Sequence, residues 1–167
     1  MFVLDASTLI LVTKADFLDL FLAGVKLRVA IPGEVARECC GAKKTLDALI
    51  IQRAIDESRI EVVLVRNRKL IAKLAADFSL GRRESEAIAL ALRERALIIG
   101  IDDKNGINAC KLLGIAFTTA IGILLRSREK SLLDRRAALA ALRALAKYGR
   151  YESSIIEDAR LKLEVRE

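Results

Sequence analysis

The sequence predicts an α/β fold with a mostly parallel sheet covered on both faces, and three observations predict it. Short apolar runs with strand character alternate with segments whose apolar residues recur at helical spacing. Two of the strand-like runs end on acids just before a helix begins. No Pro/Ser linker, internal repeat or low-complexity stretch divides the 167 residues, a length that suits one domain with a sizeable core.

Taken in order, FVLD (residues 2–5) is a short buried strand ending on an acid, and Ser7 or Thr8 can cap a helix through Leu9 to Val12. Asp16 can cap a second short helix, DFLDLFLAG, closed by Gly24. KLRVAI (residues 26–31) is the next strand, and Pro32, pre-set for a first helical turn, opens a helix holding Val35 and Glu38. A helix over residues 45–57 leads to the strand IEVVLV (residues 60–65). In NRKLIAKLAADF the set Leu70, Ile71, Leu74, Ala75 and Phe78 is helical. Gly81 marks a break, and the helix ESEAIALALRER starts at Glu84. LIIGI (residues 97–101) is a buried strand running into Asp102 and Asp103, followed by a helix to Leu113 stopped by Gly114, and IAF (residues 115–117) is the last strand. The tail is helical: Ser131 with Asp134, and Ser154 with Glu157, read as capping boxes for helices through Ala146 and toward Val165.

Composition narrows the chemistry. No apolar run reaches the roughly 18–20 residues that span a bilayer. The opening MFVLDASTLILVTK lacks a basic leader region and is interrupted by Asp5, so it is not expected to be a signal peptide. The expected setting is cytoplasmic, without a membrane partner. There is no histidine, and Cys39, Cys40 and Cys110 form no C-x-x-C pair, which excludes a thiolate–imidazole zinc site and leaves the three cysteines as small buried residues. Serine–histidine and cysteine–histidine hydrolases are excluded too. Any acid–base or metal chemistry falls to carboxylates, lysine, tyrosine or thiols. GAKKT (residues 41–45) lacks the spacing of a phosphate loop, and no G-x-G-x-x-G follows a strand. A formal charge of +7 favours an anionic partner, of which nucleic acid is the commonest. Few aromatics argue against base stacking as the main binding mode. Tyr148 and Tyr151, flanking Arg150, are better suited to packing the tail.

The acids carry the functional argument. Asp5 and Asp102/Asp103 end strands, while Glu38 and Glu84 sit on helices near strand–helix junctions. Open parallel sheets bind ligands outside the carboxyl ends of their strands, so these acids can converge on one crevice. Glu84 shares a helix face with Ala87, Ile88 and Ala91, and an acid on an apolar face needs a partner. Hard cations such as Mg²⁺ or Mn²⁺ suit carboxylate oxygens. Singly, each acid has a plainer role: Asp5 and Asp102 or Asp103 as helix caps, Glu38 and Glu84 as surface or first-turn acids. The joint pattern favours the site.

These residues resemble the PIN-domain nucleases, particularly the VapC-like toxins and related archaeal PIN proteins, over residues 1 to about 133. FVLDASTLI resembles the family's strand ending in Asp-x-Ser/Thr, which carries its first acid to Asp5 and a polar neighbour to Ser7. IPGEVARE places the second acid at Glu38 rather than Glu34. GRRESEAIALAL resembles the Gly-Glu-x-Glu-Ala segment, with the third acid at Glu84 and Glu86 as its neighbour. LIIGIDDKNGINACKLLGI, counted back from Gly114, puts the fourth acid at Asp103 with Asp102 beside it. FTTAIGILL resembles the Gly-Thr-x-Gly-x-Leu-Leu stretch, with Thr118 or Thr119 as the candidate hydroxyl. Arg83 stands where a Gly is usual, Ile107 replaces a frequent Arg, and Thr119-Ala120 replaces Gly-Thr.

The resemblance implies a three-layer α/β/α fold over residues 1–133, with residues 134–167 as a helical extension packed on the domain or on a second subunit. It implies hydrolysis of RNA phosphodiester bonds, with Asp5, Glu38, Glu84 and Asp103, and Asp102 beside them, around one or two Mg²⁺ or Mn²⁺ ions. Toxin-type relatives are commonly homodimers inhibited by a small antitoxin protein, so both partners belong to the expectation. Two other readings stand beside it. One is a catalytically silent PIN-like module that binds RNA or protein. The other is a receiver-like phospho-acceptor domain, against which the acids at both Glu38 and Glu84 argue.

Overall fold

The computed structural model describes residues 1–41 and 45–164. Residues 42–44 of the GAKKT stretch, and Val165, toward which the last helix was expected to run, lie outside the described residues.

Five parallel strands form the sheet: β1 (Phe2–Leu4), β2 (Val29–Pro32), β3 (Glu61–Val63), β4 (Ile98–Gly100) and β5 (Phe117–Thr118), in the order β3-β2-β1-β4-β5. Between and after them lie α1 (Ala6–Lys14), α2 (Leu18–Gly24), α3 (Gly33–Cys40), α4 (Leu46–Asp56), α5 (Arg68–Phe78), α6 (Arg82–Arg93), α7 (Lys104–Leu113), α8 (Ala120–Glu129), α9 (Arg135–Tyr148) and α10 (Ser153–Glu164). The chain builds β2 and β3 to one side of β1, then places β4 and β5 on the other. The direction of winding therefore reverses between β1 and β4, and a crevice opens at such a switch point.

Alternation along the strands makes three layers. Phe2, Leu4, Val29 and Ile31 face a core shared with α1, α2, α3, α4 and α8. Val3, Ala30, Ile99 and Ile101 face a second core shared with α6 and α7, onto which α5 also packs. The expected α/β/α architecture is therefore present, with every strand pair parallel. The tail helices add Ala138, Leu142 and Leu145 from α9, and Ala159 and Leu163 from α10, to the first core. They lie against α1 and α8. Gly100 has to be glycine for packing: a Cβ there would come 2.7 Å from the Leu4 side chain on the adjacent strand. Gly114 ends α7 in the left-handed region at φ 66°, as its position after Leu113 predicted.

Several boundaries differ from the sequence expectations. α1 is capped by Asp5, not by Ser7 or Thr8. α2 starts after Phe17, while Asp16 takes a left-handed turn at φ 60°. α6 starts at Arg82, so Glu84 lies in its first turn. α9 is capped by Asp134, because Ser131 adopts φ 56° and closes α8. α10 already includes Ser154 in its first turn. β2 starts three residues later than KLRVAI and takes in Pro32, which is extended and precedes α3 rather than opening it, β3 is shorter than IEVVLV, and β5 sits two residues later than IAF begins. β3 is an edge strand paired only to β2, and its mostly exposed residues give it little to bury.

Candidate active site

Asp5 follows β1, the central strand, and its main-chain N–H donates to Gly100 O of β4 at 2.9 Å. That pairing anchors the acid at the switch point. Its side chain caps α1: Oδ2 accepts from Ser7 N at 3.3 Å and from Ser7 Oγ at 2.5 Å. The residue is 0% exposed, and its Oδ1 has no hydrogen-bond partner. Burial pushes the carboxyl from its ordinary 3.8 up to about 6, with the Glu84 charge adding to the rise and the Ser7 hydrogen bond opposing it. The Cys110 thiol of α7 is likewise pushed up to about 11, by burial and then by the Asp5 charge. Cys39 and Cys110 are buried and Cys40 half-buried, much as expected.

Glu38 lies in the last turn of α3 and Glu84 in the first turn of α6, two helices that pack together. Each is largely buried, with side-chain exposures of 22% and 14%, and each has one oxygen, Oε2 in both, with no partner. Glu84 Oε2 folds back over Gly81, into space that a Cβ at that position would fill. Between the two acids lies Arg83, ion-paired through Nη1 to Glu38 Oε1 and with Nη2 3.9 Å from Glu84 Oε1.

Asp102 and Asp103 have different roles at the end of β4. Asp102 Oδ2 accepts from Thr8 Oγ1 at 2.6 Å and from Ala120 N at 2.9 Å, while Oδ1 accepts from the Tyr151 hydroxyl. Burial raises its carboxyl pKa, and the hydrogen bonds from Thr8, Tyr151 and Ala120 oppose the rise. Burial, and then Asp102, push the Tyr151 phenol upward in turn, so this tyrosine is a fixed donor. Asp103 caps α7 by accepting from Gly106 N at 2.8 Å, and it is half-buried. Ser7 ties the two strand ends together, because its Oγ also accepts from Asp102 N at 3.4 Å. Thr119 caps α8 by accepting from Gly122 N at 3.2 Å, and Thr118 Oγ1 lies 3.4 Å from Thr119 O; among the described residues neither hydroxyl bonds to an acid.

Arg83 thus joins Glu38 and Glu84, Ser7 joins Asp5 to Asp102, and Asp5 is connected to the first pair by the charge of Glu84. Two contributors were missed in the sequence: Thr8 was read as a cap, and Tyr151 lies in the tail beyond the resemblance. Glu86, read only as a neighbour of Glu84, is buried and accepts from Glu34 N at 3.3 Å. Of the signals in the sequence, the apolar face of α6 came nearest, and it pointed to Glu84. Among the described residues, no three acidic or thiol side chains stand close enough to grip a metal ion as they are placed.

The family model for the PIN domain matches residues 1–164. The chain belongs to the PIN-domain family, whose members are commonly nucleases that use divalent metals and act on nucleic acid. The match takes in the tail helices as well as the strands. No curated protein matches the sequence. No helix among the described residues is long and apolar enough to cross a membrane.

Proposed function

We propose that this chain is a Mg²⁺- or Mn²⁺-dependent endoribonuclease. One observation carries the reading: Asp5 Oδ1, Glu38 Oε2 and Glu84 Oε2 are buried and unpartnered, on acids connected by Arg83 and by the Glu84 charge acting on Asp5. A buried carboxylate oxygen without a donor is costly, and a hard cation is the partner that best relieves it. The donors therefore suit such an ion in kind, and with a turn of the side chains away from their present placement Asp5, Glu38 and Glu84 would hold it, with Asp103, whose carboxylate is only half engaged by its cap, as the fourth. Asp102 is saturated by three donors and serves better to fix the β4 end than to bind metal. Bound there, the ion supplies a water of lowered pKa and positive charge against the phosphate oxygens.

The chain's own groups do the rest. Ser7 orients Asp5 so that one oxygen stays available. Beside the acids, a groove of about 750 Å³ is lined by Arg37, Arg66, Arg68 and Arg82 together with Glu34 and Glu86. Among the described residues the side chains of Arg66 and Arg68 carry no ion pair, which leaves them available to backbone phosphates. The likeness to VapC-like toxins extends the proposal to a cytoplasmic toxin, a homodimer held in check by a small antitoxin.

A second reading has an observation in its favour. Arg83 already neutralises part of the acid group, as it would in a silent module that binds RNA or protein without cutting. Cleavage of a mixed RNA substrate decides between them. The nuclease cuts in Mn²⁺ or Mg²⁺, stops in excess EDTA, and loses activity on Glu84→Gln. Binding without cleavage in any divalent ion supports the silent module, and undiminished cutting in chelator ends the metal reading.

A further inference from the structure

Two adjacent arginines bridge the same pair of helices, and they do so differently. Arg82 Nε lies 2.8 Å from Glu34 Oε1 and 3.5 Å from Glu86 Oε1. Glu34 is also held by Arg37 at 2.8 Å, and Glu86 Oε2 accepts from Glu34 N. That bridge leaves no buried carboxylate oxygen of Glu34 or Glu86 without a partner. Arg83, one residue on, reaches Glu38 and Glu84, yet Glu38 Oε2, Glu84 Oε2 and Asp5 Oδ1 all stay unpartnered. One positive charge faces three carboxylates, so the compensation is incomplete. The Arg83 side chain is 43% exposed, against 22% for Glu38 and 14% for Glu84, so it has the freer way out to solvent.

We propose that Arg83 is a resident counter-cation of the acidic site, holding Glu38 and Glu84 until a divalent ion displaces it, so that this residue sets the chain's metal affinity. The inference rests on the metal-dependent reading above. Arg82 is its internal control: it has the same charge and joins the same helices, but it serves acids that have no further need of a cation.

Calorimetric titration of MnCl₂ into the full-length protein tests this, alongside thermal melting with and without the ion. Arg83→Gln should bind Mn²⁺ at least about tenfold more tightly than wild type, the scale of one charge-assisted hydrogen bond to be broken. Arg83→Lys keeps the charge and should stay near wild type, as should Arg82→Gln. Without metal, Arg83→Gln should melt lower than wild type, and Mn²⁺ should reverse that order. Equal or weaker Mn²⁺ binding by Arg83→Gln overturns the role of Arg83 and leaves the metal site standing. Tight binding by Arg83→Lys as well means that the charge is not what competes, and it overturns that role equally. No binding by any of the proteins removes the metal reading itself. If Arg83→Gln does not fold alone, Mn²⁺ should restore its circular dichroism, and failure to restore it counts against the proposal.

Discussion

Asp5 shows how one side chain can be both a cap and a site. Its Oδ2 satisfies the start of α1 through Ser7, and its Oδ1 is left unpaired in the interior. Because the folded carboxyl titrates near 6 and the unfolded one near 3.8, the native state binds more protons between those values. Stability then falls as pH rises through that window, and above it the buried charge costs at most about 3 kcal/mol. Asn caps helices as well as Asp, so Asp5→Asn removes the charge and keeps the cap. In EDTA the variant should be more stable than wild type at neutral pH, with the advantage vanishing near about pH 4. Adding Mn²⁺ should stabilise it less than wild type. Urea unfolding at the two pH values, with and without Mn²⁺, measures both effects. Identical curves for the two proteins would mean that Asp5 is a cap alone. The sequence held both readings of this residue open, and the structure realises the cap while leaving the second oxygen for the other.

Helices with a sustained apolar period were legible within a residue or two, as α5 and α7 show, because burial of one face fixes both their type and their extent. Short elements and caps were less so. The pattern Ser131-Leu-Leu-Asp134 allows a cap at either end, and only the path of the chain out of α8 chooses. In the structure, Ser131 N donates to Arg128 O and the residue turns left-handed, so Asp134 is left to accept from Ala137 N at 2.7 Å. The roles can be separated by substitution. Asp134→Ala should destabilise by about 1 kcal/mol, as loss of an N-cap does. Ser131→Gly should be neutral or slightly stabilising, since glycine tolerates φ 56° better than serine. A denaturant midpoint that falls for Ser131→Gly and not for Asp134→Ala would restore the capping box to Ser131. The Tyr151–Asp102 contact was hidden for a related reason: it joins residues 49 apart in sequence, and no local pattern announces it.

At the scale of the molecule, the acids define where chemistry can occur and the net charge of +7 defines what can approach. Several arginines and lysines are spent on the surface in pairs such as Arg28–Glu61, Lys73–Asp77 and Arg160–Glu157, which add little stability. Unpaired cations next to the acid crevice matter more for a polyanion, because bound phosphates there release condensed counterions. Arg66 and Arg68 are such a pair, placed where the chain leaves β3 and enters α5 along the groove. Each phosphate contact on a single strand contributes about 0.7 to the slope of log affinity against log salt. Replacing both arginines by alanine should therefore weaken binding of a single-stranded RNA at low salt and make the slope shallower by about 1.4. The measurement is fluorescence anisotropy of a labelled oligonucleotide across a salt series, in chelator so that the strand stays intact. The same substitutions should leave Mn²⁺ affinity unchanged, since neither arginine contacts Asp5, Glu38 or Glu84. An unaltered slope would place the RNA on another face, and the tail arginines Arg135, Arg136 and Arg143, which line a second concavity, would then be the next to replace.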